Sequence, residues 1–180
     1  MPSPRLGKRP GIPAPIRDLV LPGCGVDPAT FTGTIDAVRP ALFAGIRRQC
    51  AEAGIDVAAL HDEQLIDDLH YTIFPNVTLN IHGRGFWLFR HRPHPEDPNR
   101  MFFDFQDYAL LAPGTAPARP EHVTGEIAGT SLGDVIDQDL ANLPRVQAGM
   151  RSAAFSGLRL SEQERRIRHF HRVLESYVGA

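Results

Sequence analysis

An α+β fold is predicted by three observations. Residues 76–82 alternate, with Val77, Leu79 and Ile81 on one side and Asn76, Thr78, Asn80 and His82 on the other, the period of a half-buried strand. Two further segments, 86–92 and 101–111, are rich in aromatic and aliphatic residues and follow at short spacing, as in an antiparallel meander. Helical patterns flank this region, at 35–53 and 131–178. The coarse picture is a curved antiparallel sheet with a long C-terminal helix across it.

Residues 1–34 form a Pro-rich segment. Seven prolines and four glycines fall within the first 28 residues. Proline fixes φ and lacks an N–H, so an extended or irregular segment is expected, with few contacts from residues 1–30. Over 35–53, Leu42, Ile46 and Cys50 recur at four-residue intervals and Gly54 supplies a stop. Residues 56–62 are read as a connector, and 70–82 as strand. Gly83-Arg84-Gly85 makes a turn, 94–100 is a Pro-rich loop, and 112–130 is a long loop. The first C-terminal helix carries Ile136, Asp139, Leu143, Val146 and Met150 at helical spacing, with a kink expected at Pro144. The second opens on a capping box, Ser161-Glu-Gln-Glu164, and continues with the stripe Ile167, Phe170, Leu174 and Val178.

Composition excludes several functions. The 180 residues carry 19 Lys and Arg against 21 Asp and Glu, whereas a general nucleic-acid binder shows a basic excess. Hydrophobic residues make up 42% and charged residues 22%, enough for a packed core. The two cysteines, Cys24 and Cys50, build no disulfide scaffold, zinc site or iron–sulfur cluster by themselves, and fit a reducing cytoplasm. No 18-residue apolar run and no signal peptide occurs, so no membrane span is expected.

Asp139 is the candidate chemical group. Its spacing places a carboxylate in an apolar stripe, where a buried charge needs a partner or a metal. The same spacing allows a solvated helix edge. The eight histidines have no i,i+4 or i,i+5 pair to present two imidazoles to one ion. His91 and His94 read as a polar loop pair, and His169 and His171 point in opposite directions on a helix. No G-x-S-x-G, S-x-x-K, Walker A or G-x-G-x-x-G occurs.

Three stretches, in this order and spacing, carry a resemblance. They are Asp67-Asp-Leu-His-Tyr-Thr-Ile-Phe-Pro-Asn76, then Phe86-Trp-Leu-Phe-Arg-His-Arg-Pro93. The third combines Asp137-Gln-Asp139, Val146-Gln147-Ala-Gly149-Met-Arg-Ser152 and Gly157-Leu-Arg-Leu-Ser-Glu162 with the helix holding His169 and His171. Together they resemble the C-terminal part of the catalytic domain of Rieske-type aromatic-ring-hydroxylating oxygenase large subunits, over about residues 60–180.

The resemblance implies a helix-grip (START-like) domain, here incomplete, over 35–180. It implies a mononuclear non-haem iron held by two histidines and a carboxylate. Asp139, with Gln147 eight residues later, fits the carboxylate position. It also implies a substrate pocket for an aromatic or other hydrophobic small molecule, assigned here to Asn76, Phe86 and Leu143. No D-x-x-H-x-x-x-x-H motif and no C-x-H with C-x-x-H occurs, so neither the histidine pair nor the Rieske cluster is encoded. Fe(II) is therefore expected only in a complete enzyme. The expected partners are an N-terminal half on another polypeptide, a reductase and further copies in an oligomer. The chain alone should be inactive. Two alternatives stay open: a non-catalytic module for hydrophobic ligands, and a gene fragment without function.

Overall fold

The computed structural model describes residues 16–126 and 129–179. They belong to two units, 1–117 and 118–180. The fold is α+β: a curved four-stranded antiparallel sheet and a C-terminal helix, the components of a helix-grip domain.

In the first unit, Ile16–Val20 makes a wide turn that runs into the short helix α1 (Leu21–Gly23). The Pro-rich segment is therefore not extended throughout. Pro22 sits in the first turn of α1, where no N–H is required. Leu21 is fully buried against Val38 and Leu42, and its apolar side chain anchors the segment. The expectation for residues 1–15 lies outside the described residues.

The long helix α2 (Ile35–Glu52) buries Val38, Leu42, Ile46 and Cys50 at intervals of four, as the pattern predicts. Pro40 lies within it without ending it. The helix ends in a Schellman turn: Gly54 takes φ +71°, its N–H donates to Ala51 O, and the Ile55 N–H donates to Cys50 O at 2.8 Å. The connector after it contains a helix that the sequence reading lacks, α3 (Asp62–Ile66). Its Leu65 completes a cluster with Ile46, Cys50 and Val57. Arg47 fastens this region, donating to Leu60 O at 2.9 Å and pairing with Asp62 at 2.7 Å.

The sheet has four strands, not three: β1 (Leu69–Ile73), β2 (Val77–His82), β3 (Gly85–Pro93) and β4 (Met101–Ala109), in the order β1-β2-β3-β4. The segment expected as one strand over 70–82 folds back at Phe74-Pro75-Asn76, so Tyr71 pairs with Leu79 and Ile73 with Val77. Proline in that turn cannot donate to a ladder. The β2–β3 turn is tight, with His82 opposite Gly85. A Cβ on Gly83 would lie 2.7 Å from Leu65 Cα, so this turn packs directly on α3.

In the second unit, α4 (Asp134–Met150) runs continuously through Pro144. A 3-10 turn at Glu162–Glu164 then leads into α5 (Arg165–Val178). The capping box is present: Glu164 accepts the Ser161 N–H at 2.6 Å. Along α4, Ile136 and Leu140 are buried, whereas Leu143, Val146 and Met150 are exposed. On α5, Phe170 and Leu174 are half-buried, and Ile167 and Val178 are exposed.

Candidate substrate face and metal ligand

Cross-strand partners share a face of the sheet, so the register sorts the side chains. One face carries Leu69, Tyr71 and Ile73 from β1, Val77, Leu79 and Ile81 from β2, Phe86, Leu88, Arg90 and Arg92 from β3, and Phe102, Asp104 and Tyr108 from β4. The opposite face carries Asn80 and His82 beside Trp87, Phe89 and His91, then Phe103 and Phe105.

The first face is anchored by charge. Asp104 accepts from both Arg90 and Arg92 at 2.8 Å, and Arg92 also lies over the Phe102 ring. The Arg92 and Arg90 hydrogen bonds pull the Asp104 carboxyl down to about 2. A depressed carboxylate stabilises the fold above its unfolded pKa of about 3.9, and that stability is lost as pH falls toward the folded value. The groups are partly solvated, so the effect is on the order of 1 kcal/mol. The urea midpoints of wild type and Asp104→Asn should differ near pH 6 and converge as pH falls toward about 2. A gap that persists at the acid end would contradict this.

The second face is an aromatic ladder. Trp87 meets Phe105 and Phe89 edge-on at 6.0 and 6.4 Å, and Phe89 stacks with Phe103 at 5.7 Å. His82 closes one end on Trp87, and His91 closes the other on Phe103. Burial pushes the His91 imidazole below its ordinary pKa, favouring the neutral ring. The face thus joins an aromatic ladder on β3 and β4 to polar neighbours, with Thr78, Asn80 and His82 on β2, His91 on β3 and Asp107 on β4.

Of the residues assigned to a pocket from the sequence, Asn76 and Phe86 lie apart in the first unit, and Leu143 belongs to the second. Phe86 lies on the opposite face, stacked on Tyr108 at 4.4 Å. Asn76 lies in the β1–β2 turn, where its carbonyl accepts the His91 N–H at 2.9 Å. It precedes Val77, whereas Phe86 pairs with Ile81, a separation of about 16 Å along β2. Leu143 is exposed on α4. The aromatic ladder was invisible in the sequence because its rings come from β3 and β4 and meet only in this register.

Asp139 is exposed on α4, the solvated helix edge that its spacing allowed beside the buried position. The buried side chains of the helix are Ile136 and Leu140, and Asp139 lies on the uncovered stripe with Leu143 and Val146. Its neighbour Asp137 is committed elsewhere. The Ser131 hydroxyl and the Leu132 N–H donate to it at 2.6 and 2.8 Å and hold its carboxyl below the usual range. Asp137 thus secures the start of α4, while Asp139 has no hydrogen bond or ion pair among the described residues.

The same unit holds an open groove of about 430 Å³ between the end of α4 and α5, walled by Met150, Phe155, Leu158 and Leu160. Arg168 shapes its rim by donating to Leu160 O and Ser161 O.

The curved antiparallel sheet and the C-terminal helix define a class, the α+β domains of helix-grip type. The family model for the ring hydroxylating alpha subunit (catalytic domain) matches residues 40–180. The chain belongs to that family. No curated protein and no solved structure matches it. The family implies non-haem iron in complete enzymes. Among the described residues, no three His, Cys, Asp or Glu side chains converge on a point that could hold a metal ion. These residues do not by themselves fit the iron. No described helix is long and apolar enough to cross a membrane.

Proposed function

We propose that the chain is the C-terminal portion of the catalytic domain of a ring-hydroxylating oxygenase large subunit. In this reading it supplies one metal ligand and the substrate surface for O2-dependent hydroxylation of an aromatic or other hydrophobic molecule. The observation that carries the reading is the family match over 40–180, combined with the separation of roles on α4. Asp137 is tied to Ser131 and Leu132, which leaves Asp139 free to act as the carboxylate ligand. A three-ligand face provides the affinity and the open positions, so one carboxylate binds Fe(II) weakly. The two histidines and the Rieske cluster come from outside these 180 residues, electrons from a reductase, and the assembly is oligomeric and cytoplasmic. The free thiols of Cys24 and Cys50 suit a reducing compartment.

The supporting chemistry within this chain is binding and positioning. The Trp87–Phe89–Phe103 ladder offers edges and faces to a planar substrate. Exclusion of water by those rings strengthens any polar contact made there. A second reading, a non-catalytic module for hydrophobic ligands, is favoured by the absence of a three-ligand cluster among the described residues.

The test is complementation. The chain is co-expressed with a polypeptide carrying C-x-H, C-x-x-H and D-x-x-H-x-x-x-x-H, with reductase and NADH. Aromatic hydrocarbons are supplied under isotope-labelled O2. Labelled hydroxylated product that requires both polypeptides is the expected result. Aromatic binding without labelled product in any combination would favour the second reading.

A further inference from the structure

Asn80 lies on β2 at the margin of the aromatic ladder, opposite Trp87 on β3 and His70 on β1. Its side-chain Oδ1 is shielded from water and accepts no hydrogen bond. Buried amide oxygens are nearly always paired, because an unmet acceptor loses its water without replacement. Nothing on the neighbouring strands satisfies this one. Its flank on β1 is the exposed ring of His70, which can turn aside toward solvent. Its flank on β3 is the Trp87 indole, the edge of the aromatic ladder. An unmet acceptor next to aromatic rings matches one ligand chemistry: a planar ring bearing an O–H or N–H.

We propose that Asn80 Oδ1 is a specificity determinant, accepting a hydrogen bond from a phenolic or anilinic donor on an aromatic ligand that packs against Trp87. The inference rests on the reading of this face as the substrate surface and adds the polar group that the substrate carries. Apolar rings alone would favour the more hydrophobic of two equal-sized ligands. A paired acceptor reverses that order, because the donor-free analogue leaves Oδ1 unmet.

Trp87 is the single tryptophan of the chain, so its fluorescence reports on this face directly. The full chain is titrated with 4-methylphenol, 4-methylanisole and 1,4-dimethylbenzene, with calorimetry as a second readout. The three differ little in shape, and only the first donates. The expected result is binding of 4-methylphenol about 10-fold or more tighter than the other two. Asn80→Leu should erase the preference while 1,4-dimethylbenzene still binds. Circular dichroism checks the fold of the variant, and the wild-type comparison decides the matter if the variant does not fold. Equal binding of all three, or tighter binding of 1,4-dimethylbenzene, overturns the proposal and leaves the aromatic surface standing. No binding of any probe overturns both. Asp107, opposite Trp87 on β4, is the competing acceptor. A preference that survives Asn80→Leu and falls with Asp107→Asn would assign the contact to Asp107 and overturn the proposal.

Discussion

Replacing Asp139 by Asn should abolish turnover of the complemented oxygenase while leaving the fold of this chain intact. Asn is neutral and binds Fe(II) far less well than a carboxylate. Changes to groups that merely support a metal ligand cost 10–100-fold, so loss of the ligand itself should exceed about 100-fold. The fold has no reason to respond. Asp139 is exposed and holds no partner among the described residues, and surface changes of this kind usually stay within about 0.5 kcal/mol. The relief of a buried charge that the sequence pattern suggests does not arise, because nothing described covers Asp139. Asp137→Asn makes the contrasting case. It weakens the Ser131 and Leu132 contacts at the start of α4 and should lower stability while sparing most of the activity. Product formation and denaturant midpoints for both variants check the two expectations. Full activity of Asp139→Asn, or loss of activity in Asp137→Asn alone, would exchange their roles.

The second large effect is structural. Gly45→Ala should destabilise the N-terminal unit by about 2–3 kcal/mol, although alanine is the better helix former. A Cβ at Gly45 would lie 2.0 Å from the Cys24 carbonyl oxygen and 3.2 Å from Val26 Cγ2. Gly45 is where the chain after α1 crosses α2, so the obstacle is backbone and cannot rotate away. The crossing must lift, and with it go the burial of Leu21 and the Arg48 hydrogen bond to Gly25 O. Overpacking and lost burial together outweigh the roughly 1 kcal/mol that alanine gains in helix propensity. Gly149, in the last turn of α4, meets nothing within 4 Å. Gly149→Ala should therefore be neutral or stabilising, by up to about 1 kcal/mol. Opposite signs at the two sites, read from urea midpoints, would establish that α2 is crossed at Gly45; matching signs would contradict it.

Local signals in the sequence carried far. The four-residue spacing of Leu42, Ile46 and Cys50 is a helix face, and the helix buries it. Gly54 and the Ser161–Glu164 box mark helix ends by chemistry that acts within a few residues. Where the outcome depended on distant neighbours, the sequence was less informative. Helix α3 spans five residues and buries one leucine, too short to show a period. The turn at Phe74-Pro75-Asn76 hides inside a run of strand-forming residues and divides it into β1 and β2. Helical spacing placed Asp139 on one stripe with Leu143 and Val146, but spacing shows which residues share a face, not what covers it. The same limit applies to the pocket. Phe86 and Trp87 are adjacent in a strand and so face opposite ways, but only the pairing with Ile81 and Asn80 reveals which neighbours each meets. Trp87, Phe105 and Asn80 were therefore missed as a group, because they come from three strands and meet only in the observed register.

The most direct test of the account is the iron content of the complemented complex. The polypeptide carrying the histidine pair is purified with this chain, reconstituted anaerobically with Fe(II), and assayed for metal after desalting. A cluster-free version of that polypeptide keeps the Rieske iron out of the count. The account predicts about one iron per complex with wild-type chain and a large loss with Asp139→Asn, with both complexes assembling equally. Equal iron in the two complexes would contradict it, because the carboxylate ligand would then come from somewhere other than α4.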